Sequence, residues 1–215
     1  MTRTRRRLLT HAILVPCIAA LILFVYVLGV SPNENFRWSV STGYTGLVLL
    51  SATLLLGPWN FLRRKPTPVS SDLRRDIGVW AALISIWHVF LGLQSHMIGK
   101  KWTYFFYHDN FGPVSDLRHD LFGWANHTGL LAALLALLLA MLSNDQSLRM
   151  LGATQWKRLQ RTNYLLFGLT VLHTLFYQMI EKRIPVYVFA LALIAAVVAG
   201  LQVVRMVGWR TKTVA

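Results

Sequence analysis

A helix that crosses a bilayer needs about 20 consecutive, mostly apolar residues. This chain of 215 residues contains six such segments, at about 12–30, 43–62, 77–97, 121–142, 164–180 and 184–206. The longest connector, about residues 98–120, leaves no room for a soluble domain. The pattern predicts an all-α membrane protein: one integral membrane domain over residues 1–215, built as a six-transmembrane-helix bundle. Charged residues make up only 14% of the chain, against about 25% in soluble domains. In a wetted protein the net charge of +14 would suggest nucleic acid as a partner. A phosphate-binding face must meet water, however, and most of this chain must not, so the expected partner is the lipid bilayer. The single cysteine, Cys17, excludes an intramolecular disulfide, a Cys-ligated iron–sulfur cluster and covalent c-type haem attachment.

The charge is distributed by side. Arg3, Arg5, Arg6 and Arg7 precede the first segment, and Arg63, Arg64, Lys65, Arg74 and Arg75 lie between the second and third. Arg149, Lys157, Arg158 and Arg161 lie between the fourth and fifth, and Arg205, Arg210 and Lys212 close the chain. These sixteen face one side, whereas Arg37, Lys100, Lys101, Arg118, Lys182 and Arg183 face the other. The asymmetry predicts that both termini are cytoplasmic. Thr4 to Leu9 loosely resembles a twin-arginine signal. The apolar run after it is longer than the 7–15 residues of a signal h-region, so an uncleaved anchor is expected. The outward connector carries Trp102, Tyr104, Phe105, Phe106, Tyr107 and Phe111, which predicts partial immersion in the interface. Residues 66–71 read as a turn-rich connector. No G-x-G-x-x-G or G-x-x-x-x-G-K-[ST] occurs, so no nucleotide-binding motif is present.

Ionisable side chains inside a bilayer are costly and tend to be functional. His11 and His96 fall at segment ends, and His108 and His119 in the outer connector. His88, His127 and His173 fall within segments. His88 lies 13 residues beyond Arg75, about 20 Å along a helix, and His173 lies 12 beyond Arg161, about 18 Å. The third and fifth segments run in the same direction, so these two imidazoles share a level. His127, about six residues inside the fourth segment, reaches a similar level. Two facing imidazoles suit the axial positions of haem iron. Depth alone permits any of the three pairings.

Arg74-Arg75-Asp76-Ile77-Gly78 followed by Trp87-His88 resembles the R-R-x-x-G…L-H pattern at the third helix of ferric-reductase-like transmembrane proteins. Leu151-Gly152-Ala153, Trp156, Leu159, Tyr164 and Leu172-His173 resemble that superfamily's L-G-x-x-x-W-x-x-L-H-x-L-x-Y…L-H stretch. Thr42-Gly43 through Gly57-Pro58 resembles its T-G…T-P second helix. Within the superfamily the chain is most similar to the haem-binding subunits of bacterial sulfoxide reductases. The resemblance covers the second to fifth segments. It implies a bacterial inner-membrane location, a non-covalent haem b, electron passage across the membrane, and His88 and His173 as iron ligands in preference to His127. The family's further histidine, in L-H-x-L, is Gln160 here. One haem per chain is therefore expected, since the charged start of the third segment offers no partner ligand at that level. On one straight helix Gln160 would point about 220° away from His173.

The expected function is a haem b electron-transfer subunit, an oxidoreductase component. Electrons would come from quinol or a separate flavoprotein and pass toward an outer-face acceptor such as a partner reductase. A flavin or quinone cofactor near the inner surface is compatible, with no site visible in the sequence. The alternatives are a haem-free membrane scaffold or transporter-like protein, and direct ferric reduction using His108 and His119.

Overall fold

The computed structural model describes residues 2–29, 31–64, 71–96, 100–107, 116–181 and 185–213, with side chains as far as residue 207. The described residues form seven α-helices and one 3-10 turn. They are α1 (Arg3–Leu28), α2 (Glu34–Leu62), α3 (Asp72–Gly92), the turn Lys101–Tyr104, α4 (Leu121–Met141), α5 (Asp145–Gln160), α6 (Asn163–Glu181) and α7 (Pro185–Thr213). Four of them, α1, α2, α4 and α7, are long and apolar enough to cross a membrane. α3 and α6 are not among these four: α3 opens on Asp72, Arg74, Arg75 and Asp76, and α6 carries Asn163, His173, Gln178 and Glu181.

The first three helices begin well before their apolar segments. The cause is capping: the side chains of Thr2, Asn33 and Ser71 accept from the backbone N–H of Arg5, Phe36 and Arg74. These caps satisfy donors that no helical turn can reach. α5 corrects the sequence expectation of a plain connector. Asn144 caps it through Ser147 N, its backbone breaks at Gly152, and Trp156 is buried with its indole N–H on Leu142 O at 2.9 Å.

α2 is the central helix and packs on α1, α3, α6 and α7. Its buried face is made of small and hydroxylic residues, among them Ser41, Thr42, Thr45, Gly46, Ser51 and Thr53. Thr42, Thr45, Ser51 and Thr53 turn their hydroxyls onto carbonyls of their own helix at 2.7–2.8 Å. No polar group is then left over, and neighbouring helices approach closely. Large apolar side chains point outward instead: Phe24 and Val27 on α1, Leu134 and Leu138 on α4, Phe189 and Leu193 on α7. Such an inside-out distribution suits a lipid-facing surface. The most extensive helix pairs are α2 with α3 and α4 with α6.

At the end holding the N-terminus, charges tie three helices together. Arg3 bridges Asp72 of α3 at 2.7 Å and Asp145 of α5 at 2.8 Å, Arg6 joins Asp72 at 3.1 Å, and Arg75 also pairs with Asp145. Arg7 reaches the fully buried Asp76 at 2.5 Å. His11 accepts from Trp80 Nε1 at 3.1 Å and lies 3.7 Å from Asp76. At the opposite end the loop folds back over the bundle. Buried Tyr104 donates to Gly92 O and accepts from His96 N, both at 3.0 Å. Trp102 remains exposed. The expectations for His108, Phe111, the connector 66–70, Lys182 and Arg183 fall outside the described residues.

Hydrogen bonds from Arg3 hold the carboxyls of Asp72 and Asp145 below their ordinary pKa, with Arg6 and Arg75 adding to the effect. A depressed folded pKa means stability that is complete above the unfolded value, near 4, and lost as pH falls through the folded one. The thermal midpoint should hold from pH 7 to about 5 and fall below about pH 4. Asp72→Asn with Asp145→Asn should lower it at pH 7 and flatten that acid limb. A midpoint that instead falls between pH 7 and 5 would reject the clamp. Asp76→Ala should cost about 1.5–3 kcal/mol, the worth of hydrogen bonds to a charged group, in a denaturant titration in detergent.

Candidate functional site

An elongated cavity runs through the bundle between α2, α3, α4 and α6, from Arg74 and Gln160 at the basic end to His96 and Phe105 at the far end. About 1800 Å³ within it, open mouths included, is unfilled by atoms. Its walls are mostly small or aliphatic: Gly46, Gly78, Ala81 and Ala82 on one side, Ala132, Ala133, Ala136 and Leu166 on the other.

His88 and His173 both line this cavity, half-buried, with ring centroids 5.9 Å apart and planes at 81°. Each ring is held by the neighbouring helix of its own pair. His88 Nδ1 lies 2.8 Å from Ser39 O on α2, and His173 Nδ1 lies 2.8 Å from Ala125 O on α4. A carbonyl oxygen only accepts, so Nδ1 carries the proton in both rings. In the neutral ring Nε2 is then the nitrogen that carries the lone pair able to bind a metal.

The same local device allows both bonds. A helical carbonyl at position i points toward residue i+4, whose Cβ would shield it. Here residue i+4 is glycine in each case, Gly43 beyond Ser39 and Gly129 beyond Ala125. A Cβ at Gly43 would lie 3.0 Å from His88 Cε1, and one at Gly129 would lie 2.5 Å from His173 Nδ1. The α2–α3 and α4–α6 pairs thus present one imidazole each in matching fashion.

His127 turns elsewhere. Its Nε2 donates to Arg118 O at 3.0 Å and its ring packs on Phe105 and Trp124, so it ties α4 to the outer loop and does not line the cavity. His119 is exposed beside Tyr107. His96 lies beyond the end of α3 at the cavity's far mouth, 3.2 Å from Glu181. It stacks on Tyr177 at 6.2 Å, and Tyr177 meets His173 at 5.1 Å, so aromatic rings run from the histidine pair to the far end. The Tyr177 hydroxyl donates to Asn126 Oδ1 at 2.9 Å.

Gln160 also faces the cavity, with Nε2 buried and without a hydrogen-bond partner. The straight-helix projection is corrected here. α5 ends at Gln160 and α6 begins at Asn163, so the turn between them re-aims Gln160 toward the space His173 faces. Sequence reasoning missed Gly129 entirely. Its only signal was a glycine two residues beyond a histidine in an otherwise aliphatic helix.

No known protein-family profile matches this chain. Among the described residues no group of three or more His, Cys, Asp or Glu side chains is placed to hold a metal ion.

The cradle makes a graded prediction. With histidine-selective ¹⁵N labelling, both rings should show the Nδ1-protonated tautomer. Gly129→Ala should perturb the His173 ring strongly, and Gly43→Ala should perturb His88 mildly. Equal, small effects would mean that the glycines are not required for ring placement.

Proposed function

We propose that this chain is a haem b electron-transfer subunit of a six-span membrane bundle, with His88 and His173 as the two axial ligands. The observation that carries the reading is the matched pair of imidazoles, each protonated at Nδ1 by its bond to a backbone carbonyl. A metal about 2 Å from each of two facing imidazole nitrogens separates the ring centroids by about 6 Å, close to the 5.9 Å found. Two histidines are too few for a lone transition-metal ion, which takes three or four protein ligands, but they are the full axial set for a porphyrin. The donor set and the cleared cradle therefore fit the group.

When bound, haem supplies one-electron chemistry, and the protein's own residues tune and shelter it. Ser39 O and Ala125 O fix the tautomer and raise the basicity of the Nε2 atoms. The small residues along the cavity leave room for a flat ring system. Tyr177 and His96 extend aromatic contact toward the far mouth, where an outer acceptor such as a partner reductase would meet it. Electrons would enter from quinol or a flavoprotein at the basic end. By charge distribution that end, with both termini, is cytoplasmic, and the resemblance implies that the membrane is a bacterial inner membrane. Reporter fusions after Asn110 should read external and those after Thr154 cytoplasmic.

Purified protein should carry one haem b per chain, with a dithionite-reducible spectrum. His88→Ala and His173→Ala should each empty the site, while His127→Ala and His96→Ala keep it. Gly129→Ala should weaken haem retention tenfold or more, the usual cost of displacing the partner that orients a ligand. A colourless, folded preparation would favour the scaffold or transporter reading, and reduction of a ferric chelate by the isolated chain would favour a direct ferric reductase. Loss of haem in His127→Ala with retention in His88→Ala would overturn the ligand assignment.

A further inference from the structure

The bond from His173 Nδ1 to Ala125 O, at 2.8 Å, does not by itself fix the plane of the ring. One hydrogen bond leaves an imidazole able to rock about the line through the bonded atoms. A second contact lies off that line. The Tyr177 ring meets the imidazole at 5.1 Å with the planes at 65°, an edge-to-face arrangement. Tyr177 stands four residues beyond His173 on α6, on the same helix face, and helical side chains lean back over the preceding turn. The tyrosine therefore leans over the histidine, and both line the same cavity.

Tyr177 is itself held on three sides. Its hydroxyl donates to Asn126 Oδ1 at 2.9 Å, and Asn126 Nδ2 donates to Phe122 O at 2.7 Å. A backbone carbonyl only accepts, so the buried amide has one orientation and the phenol is the donor. Phe122 meets the Tyr177 ring edge-on at 6.0 Å. His96 stacks on it at 6.2 Å and 19°, and Glu181 holds His96 at 3.2 Å. Asn126 directly follows Ala125. Consecutive residues of α4 thus hold the His173 ring, one through its nitrogen and the other through the tyrosine.

His88 is placed by different means. The position four beyond it on α3 is Gly92, which has no side chain. Ser39 Oγ lies 3.4 Å from where a Cβ of Gly92 would stand, and 3.4 Å from His88 Nδ1. Serine and carbonyl of one residue on α2 steady that ring.

We infer that Tyr177, hung on Asn126, is a positioning residue that sets the plane of the His173 ring and so the 81° crossing with His88. Its functional consequence rests on the haem reading. The plane of an axial imidazole decides which iron d orbital its π system overlaps. Crossed rings leave two such orbitals nearly equal in energy, and parallel rings split them. Tyr177 then tunes the iron without touching it, as groups around a ligand do.

The test compares oxidised, full-length wild type with Tyr177→Leu, Tyr177→Phe and Asn126→Leu by low-temperature electron paramagnetic resonance, with haem content and midpoint potential measured on the same samples. Tyr177→Leu should keep its haem, held about twofold to tenfold more weakly, the worth of one aromatic edge contact. Its strongly anisotropic signal should give way to a rhombic three-line signal, and its potential should shift. Tyr177→Phe and Asn126→Leu break the same hydrogen bond and leave the ring present, so each should broaden the anisotropic signal alike. If Tyr177→Leu does not fold, that pair decides: matched broadening supports the brace, and unchanged signals overturn it.

A Tyr177→Leu protein that is merely less stable, with the wild-type signal and potential, would overturn the inference. Haem content separates this result from failure of the haem reading. Loaded protein indifferent to Tyr177 sinks only the brace. In colourless protein the haem reading fails, and the brace is read by ¹⁵N–¹H resonance of the ring. There Tyr177→Leu should speed exchange of the His173 Nδ1 proton with water about twofold to tenfold and leave that of His88 unchanged. Equal effects on the two rings, or none on either, would overturn it.

Discussion

The bond from each imidazole Nδ1 to a carbonyl of the adjacent helix is the interaction on which the rest depends. It fixes which nitrogen is protonated, which way the ring faces, and how close the paired helices stand. The residue four positions beyond each carbonyl, Gly43 or Gly129, has no side chain to cover it. At Gly129 that clearance is required, since a Cβ would lie 2.5 Å from His173 Nδ1, and without it the ring swings away or the helices part; at Gly43 a Cβ would only crowd His88 at 3.0 Å.

The surrounding bundle serves that geometry. Within a bilayer there is little hydrophobic drive between helices, so close packing and satisfied polar groups must hold them. α2 meets this demand with hydroxyls folded back on its own carbonyls. Gln178 adds a buried junction, donating to Tyr44 Oη at 2.7 Å and Tyr187 O at 3.0 Å and so joining α2, α6 and α7. The ion-pair clamp of Arg3, Asp72 and Asp145 performs the same task at the basic end, where water is available and charge is tolerable. The helices that carry His88 and His173, α3 and α6, each also carry charged residues, Asp72, Arg74, Arg75 and Asp76 on the one and Glu181 on the other.

Much of this was legible from residue order alone. The all-helical architecture followed from the length of the apolar segments, and the shared level of His88 and His173 followed from helical rise. Their facing arrangement did not, because depth left His127 equally eligible. Only the bond from His127 to Arg118 O shows that ring serving the loop. α5 was missed because an amphipathic stretch broken at Gly152 has no sustained periodicity. The aim of Gln160 was misjudged because the straight-helix projection ignored the turn before Asn163. Gly129 is the sharpest case. A glycine's value as an absence of atoms depends on what packs against it, and the ring that does so is 44 residues away in sequence.

The central claim is that Nε2 of His88 and Nε2 of His173 share one iron, with ring planes near perpendicular. Electron paramagnetic resonance of the oxidised, full-length protein at low temperature tests this directly. The account predicts a single low-spin ferric signal of the strongly anisotropic kind that crossed imidazole planes produce, abolished in His88→Ala and in His173→Ala. A high-spin signal, two distinct low-spin species, or a signal that survives loss of either histidine would contradict it.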